Sequence, residues 1–147
     1  MASDAGYWPQ VQQAFDDASI YAAPEEWLTG LARHPRNTGL LLAVHWLAAE
    51  VDNGGLIQFF DNSTGVVAPE AVEGLAAIGM PESAAEVSAA MARLPHPYPR
   101  DQSQRLAHRA AFTHGVLVAV DNRLYELFDS ENGGITAAMD RFAERMP

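Results

Sequence analysis

The sequence predicts an all-α fold: a compact single-domain helical bundle of about seven or eight helices over residues 1–147. Three observations carry that expectation. Apolar residues recur at helical spacing along most of the chain, whereas strand alternation and β-branched runs are scarce. Prolines stand where helices would begin (Pro24, Pro69, Pro81) and glycines where they would stop (Gly54, Gly55, Gly79). Finally, Leu106, Ala110, Thr113, Leu117, Val120, Leu124 and Leu127 are spaced 4,3,4,3,4,3, an a/d-type seam about three heptads long.

Each element has a local reason. Residues 7–22 form the first expected helix, with Pro9 tolerated in its first turn, and 24–33 the second, with Pro24 at its first position. The third, 37–53, reads as the central helix. Leu40, Val44, Leu47 and Val51 share one stripe at 100° per residue, and Leu42 and Trp46 add apolar surface on another side. Asn53-Gly54-Gly55 ends it, one glycine supplying a left-handed residue. A short helix over 56–62 follows, with Leu56, Phe59 and Phe60 packing inward. Helices over 69–79 and 81–94 come next, the latter placing Ala84, Val87, Met91 and Leu94 on one face. "PHPYPR" (95–100) is an extended connector. The heptad seam is expected to pack against the protein's own helices in preference to a second copy, with monomer and homodimer both open. A last helix, 134–145, carries Ile135, Met139 and Phe142. The stretches "DNGGL" (52–56) and "ENGGI" (131–135) read as one helix joint used twice.

Charge narrows the function classes. There are 19 acidic residues against 9 basic ones, all arginine, for a net charge of −10. Direct nucleic-acid binding needs cations to neutralise phosphates, so this balance argues against it. Residues 37–92 contain no Lys or Arg but hold Glu50, Asp52, Asp61, Glu70, Glu73, Glu82 and Glu86. Cysteine is absent, which excludes disulfides, thiol catalysis and cysteine metal sites. No apolar run approaches the roughly 18 residues that would span a bilayer, and the N-terminus has no signal-peptide pattern. A cytoplasmic protein with no membrane partner is expected.

The chemical motifs are mostly negative. Asn53-Gly54-Gly55 is not a phosphate loop, which needs a preceding strand and a Gly-Lys-Ser/Thr ending. His34, His45, His96, His108 and His114 show no metal-ligand spacing, and no nucleophile elbow is present. The expected protein has no catalytic residue, cofactor or metal. Glu50 is the awkward acid, on the flank of the central stripe, where a half-buried carboxylate needs partners. It is expected to accept from the N–H groups at Gly55-Leu56 or to pair with an arginine from 105–123, so that Glu50→Ala lowers thermal stability. Gln58 and Asn62 are expected to bond backbone groups at the two breaks. An enzyme with a Glu50-centred cleft is an alternative.

The remaining acids suggest a surface. Glu70 and Glu73 are i, i+3, and Glu82 and Glu86 are i, i+4, spacings that cost a helix roughly 0.2–0.5 kcal/mol for like charges. Both pairs are expected to face solvent, and neither has a cation nearby in sequence. Helix-start prolines explain Glu70 and Glu82 through the helix dipole, but not the lack of cations over the whole interval. Asp52, Asp61, Glu70, Glu73, Glu82 and Glu86 are therefore read as a partner-binding acidic face shaped for a basic protein.

"AEVDNGGLIQFFDNSTG" (49–65) resembles the signature Glu-Val-Asn-Asn-Gly-Gly-Phe-x-Gln-Phe-Phe-x-Asn-x-x-Gly of a bacterial family of formerly unknown function, typified by a Neisseria DNA mimic. The residues carrying it are Glu50, Asn53, Gly54, Gly55, Gln58, Phe59, Phe60, Asn62 and Gly65, while Asp52 and Leu56 depart from it. "APEAVEGLAAIG" (68–79) extends the likeness, and "VDNRLYELFDSENGG" (120–134) matches more weakly. The resemblance implies an all-helical single domain. It also implies an acidic surface that imitates the spaced phosphates of DNA and occupies a transcription factor or nucleoid protein. An immunity-like inhibitor of a basic toxin or nuclease is a second binding reading of the same charge.

Overall fold

A computed structural model describes residues 6–112 and 114–147, with the backbone alone described for 114–116. Among these residues there are eight α-helices and no strand. They are α1 (Trp8–Asp17), α2 (Pro24–Leu31), α3 (Arg36–Asp61), α4 (Ala68–Ala77), α5 (Pro81–Met91), α6 (Gln102–Ala107), α7 (His114–Ser130) and α8 (Ile135–Glu144). Short 3-10 turns occupy Ser63–Val67, Arg109–Ala111 and Glu131–Gly133.

The 26-residue α3 is the axis of the bundle, and α1, α4, α6 and α7 all pack against it. Leu41, Leu42, Ala43, Val44, Leu47 and Val51 are fully buried, so apolar residues are needed nearly all round. That composition makes α3 long and apolar enough to cross a membrane, contrary to the expectation from run length; half of the apolar stretch lies inside the bundle. The helix is also bent. Gly55 has φ 80° and ψ −177°, a conformation essentially restricted to glycine. Glu50 and Asn62 would be about 18 Å apart along an unbroken helix, yet Asn62 Nδ2 donates to Glu50 Oε2 at 2.7 Å. The chain therefore folds back at Gly55, and the two expected helices are arms of one bent element.

Other boundaries shift for identifiable reasons. The first helix stops at Asp17 instead of residue 22. Two acids at its C-terminus oppose the helix dipole, and Asp17 turns to His34, Oδ2 to Nε2 at 2.8 Å. The larger departure is the heptad seam, which is not one helix. It is split between α6 and α7 by a 3-10 turn and an extended Phe112. Phe112 stacks on Phe60 with ring centroids 5.2 Å apart. In α6 the inward residue is Arg105, 2% exposed, while Leu106 is 45% exposed. Leu117, Leu124 and Leu127 do pack inside; Thr113 and the side chains of His114 and Val116 lie outside the described residues.

The two Gly-Gly joints also differ. At 52–56 only Gly55 has a positive φ; at 131–135 Asn132, Gly133 and Gly134 all do. Leu56 and Ile135 are both buried, as an aliphatic anchor should be. Beyond that the second joint serves its neighbours: Glu131 accepts from the Glu82 and Ser83 amides at the start of α5, and Asn132 Nδ2 donates to the Ile78 carbonyl at the end of α4.

Candidate functional site

The signature residues build a polar joint around the bend of α3, with partners other than those the sequence suggested. Asp121 of α7 supplies the carboxylate that meets the restarted helix, its Oδ1 accepting from the Leu56 amide at 2.9 Å. Glu50 does not take that role and has no arginine partner among the described residues; it holds Asn62 instead. Asn53 Nδ2 donates to Gln58 Oε1 at 3.1 Å, so Gln58 bonds a side chain across the bend, not a backbone group. Gly55 is required by its positive φ, and a β-carbon at either glycine would also push aside the end of a bonded side chain. At Gly54 one would lie 2.1 Å from Gln58 Oε1, and at Gly55 2.3 Å from Asp121 Oδ2. Burial pushes the Asp121 carboxyl up, against the opposing pull of the Leu56 N–H.

The second half of the joint is centred on Arg105. Its Nε donates to the Phe60 carbonyl (2.9 Å), Nη2 to Asn62 (2.8 Å), and Nη1 to Pro99 (3.1 Å) and Arg100 (2.5 Å). Four carbonyl oxygens at the end of α3 and in the Pro-rich connector thus satisfy a buried guanidinium with no carboxylate in salt-bridge contact among the described residues. Burial lowers its pKa from the ordinary arginine value, opposed by Tyr98, Asp101 and Asp61. Gly65 makes room for it: a β-carbon there would sit 2.6 Å from Arg105 Nε and 2.8 Å from the Phe59 carbonyl. Tyr98 hydroxyl donates to the Gly65 carbonyl at 2.7 Å. Phe59 and Phe60 are buried. The motif from 50 to 65 therefore shapes a bend and receives one arginine from outside it.

The acidic residues are distributed over α3, α4 and α5, and arginines distant in sequence reach four of the six. Glu70 is only 15% exposed at its side chain; Arg100 grips it with two bonds of 2.9 Å and also donates to the Val66 carbonyl. Its expected exposure to solvent is therefore not observed: a cation brought by the connector draws it inward. Glu73 pairs with Arg36, Glu82 with Arg123 (3.2 Å) and Asp61 with Arg109 (3.2 Å). Glu73 and Glu82 remain exposed, as expected, and their cations come from far along the chain. Asp52 is exposed and Glu86 half-buried, and neither has an ion pair among the described residues. Exposed pairs such as Glu73–Arg36 hold their partners only weakly. No group of three or more metal-ligating side chains occurs among the described residues.

The DMP19-like protein family matches residues 32–146, more than three-quarters of the chain, leaving α1 and α2 outside the match. Comparison with curated proteins found no match, and neither did comparison with solved structures. The matched span contains the bend of α3, the Arg105 cradle and all six acids, and on that extent this chain belongs to the DMP19-like protein family.

Proposed function

We propose that this chain is a non-enzymatic acidic protein that occupies the DNA-contacting surface of a basic protein, a transcription factor or nucleoid protein, in the bacterial cytoplasm. Membership of the DMP19-like family carries this reading, since the mimicry of DNA is a property of the family's namesake. The charge pattern supports it: residues 37–92 offer seven carboxylates and no Lys or Arg. A DNA-binding protein recognises phosphates mainly as spaced negative charge, which exposed Asp52, Glu73 and Glu82 can supply. A surface rich in one sign of charge speeds encounter with an oppositely charged partner, by about 10- to 1,000-fold where a cleft focuses the field, and less as salt rises. Glu50, engaged with Asn62, is read as structural, so a Glu50-centred enzyme gains no support from the geometry.

The test is a pull-down from bacterial lysate at low salt, eluted with a salt gradient and identified by mass spectrometry. The expected result is a DNA-binding protein that duplex DNA competes off. A partner that DNA fails to displace would overturn mimicry, and recovery of a basic nuclease would favour the immunity-like reading.

A further inference from the structure

The chain carries two nearly identical asparagine-glycine sites, Asp52-Asn53-Gly54-Gly55 and Glu131-Asn132-Gly133-Gly134. Asparagine before glycine is open to attack by the next backbone nitrogen on its side-chain amide, because no β-carbon shields that nitrogen. Asn53, Gly54, Asn132 and Gly133 are all exposed, so neither sequence nor access of water tells the two sites apart. The backbone does. Asn53 and Gly54 stand inside α3 with helical dihedrals, and the rotation about the Asn53 Cα–C bond that ring closure needs would break the helix. Asn132 and Gly133 lie outside any α-helix, with φ 51° and 84°, in a short turn closed by the Gly134 amide on the Glu131 carbonyl at 2.9 Å. The sites also differ in what surrounds them. Arg141 of α8 donates from Nη2 to the Asn132 carbonyl, and its Nη1 would stand 3.4 Å from a β-carbon on Gly133. Arginine bonds to other backbone carbonyls go to residues 60, 62, 66, 99 and 100, away from Asn53. The Asn132 carbonyl and the Gly133 N–H belong to one peptide unit. A guanidinium on that oxygen draws electrons from the nitrogen and makes its proton easier to remove.

We propose that Asn132 is a site of spontaneous modification, converted to aspartate or isoaspartate through a succinimide, while the fold protects Asn53. Hydroxide or a buffer base takes the Gly133 amide proton. The electron pair left on that nitrogen attacks Asn132 Cγ, and the new N–C bond closes a five-membered ring. The Cγ–Nδ2 bond breaks, and ammonia leaves with a proton from solvent. Water then adds to one of the two ring carbonyls and opens the ring, giving aspartate, or isoaspartate where the main chain now passes through Cγ. Arg141 is a positioning residue that speeds the first step. The product has lost the Nδ2 donor that bonds the Ile78 carbonyl at 2.8 Å, and it sets a carboxylate at the C-terminal end of α4, where the helix dipole disfavours it. The contact between this turn and α4 loosens, and the molecule gains one negative charge. This chemistry is independent of which partner the protein binds.

The full chain is incubated at mildly alkaline pH, digested in acid, and its peptides are read by mass spectrometry for conversion at each asparagine. Labelling by an isoaspartate methyltransferase identifies the isoaspartate product. In the folded protein Asn132 is expected to convert about tenfold faster than Asn53, equivalent to about 1.4 kcal/mol on the barrier. In urea, where only the near-identical sequences remain, the two should convert at similar rates. Equal rates in the folded protein, or a faster Asn53, would overturn the proposal. So would an unfolded chain that keeps the same preference, since sequence and not structure would then set it. The part given to Arg141 has its own test. Arg141→Gln, an exposed change, should slow conversion of Asn132 several-fold and also slow base-catalysed hydrogen exchange of the Gly133 amide, with Arg141→Lys recovering part of both. If Arg141 merely holds the turn together, its loss speeds both processes. That result, or no change in either, would remove Arg141 from the reaction.

Discussion

Arg105 shows how far one residue can depart from its ordinary place. Guanidinium groups are rarely buried without a carboxylate, yet here four backbone carbonyls take that part. Arg105→Ala leaves those oxygens without a donor and opens a void. It is expected to cost on the order of 3–5 kcal/mol, by analogy with breaking a buried pair and orphaning buried acceptors, seen as a fall of about 10 °C in melting temperature. Arg105→Lys should recover little, because three donors on one nitrogen cannot span carbonyls that a planar fork reaches. Equal melting of the lysine variant and the parent would refute the cradle. The sequence offered the arginines of 105–123 only as partners for Glu50, and Arg105 stands beside an apolar seam residue, Leu106, that periodicity placed inside. Asp121 was not legible as a cap, and the capping role read onto Glu50 belongs to it. Burial raises the Asp121 pKa, so holding its charge at neutral pH costs the folded state. Asp121→Asn keeps an acceptor for the Leu56 amide and should melt at or above the parent. Asp121→Ala loses the cap and should cost about 1 kcal/mol. If both variants lose stability equally, the carboxylate's charge and not its hydrogen bond is what matters.

Among the elements, α1 is held to α3 by an aromatic cluster. His45 Nδ1 bonds the Tyr7 hydroxyl at 2.8 Å, and the rings of Trp8, Phe15 and Trp46 surround the imidazole at centroid distances of 5.2, 6.3 and 5.5 Å. Burial lowers the His45 pKa. The unfolded chain therefore takes up a proton before the folded one does, and stability must fall as pH drops below about 6.5. Thermal melts from pH 7.5 to 5.5 should show that fall, and His45→Gln should flatten it relative to the parent, whatever its own starting stability. Parallel slopes would show that His45 titrates equally in the folded and unfolded states. Local signals were legible wherever the chain decides alone. Prolines opened α2, α4 and α5 as read, Gly79 adopts φ 83°, and Val51, Leu56 and Phe59 are buried. They failed where distant contacts decide: the seam broke because Phe112 stacks on Phe60 and Arg105 reaches for carbonyls of α3.

Taken whole, the molecule carries its negative charge over several helices, with arginines from 36, 100, 109 and 123 reaching into the acid-rich interval. Sequence distance concealed those pairs, so the cation-free stretch is less bare in space than along the chain. Association with a basic partner should weaken steeply with salt, and Asp52→Asn combined with Glu86→Gln should lower the association rate several-fold while leaving dissociation nearly unaltered. An effect confined to dissociation, measured by surface plasmon resonance, would mean that these two acids sit in a tight contact and do not steer. The Arg105 cradle has a consequence of another kind. Its acceptors come from residues 60, 62, 99 and 100, and desolvating the guanidinium is compensated only when all are in place. A contact with that requirement is expected to form after the folding barrier is crossed. In stopped-flow denaturant experiments Arg105→Ala should therefore speed unfolding and leave the refolding rate almost unchanged, which makes this arginine a latch on the lifetime of the native state.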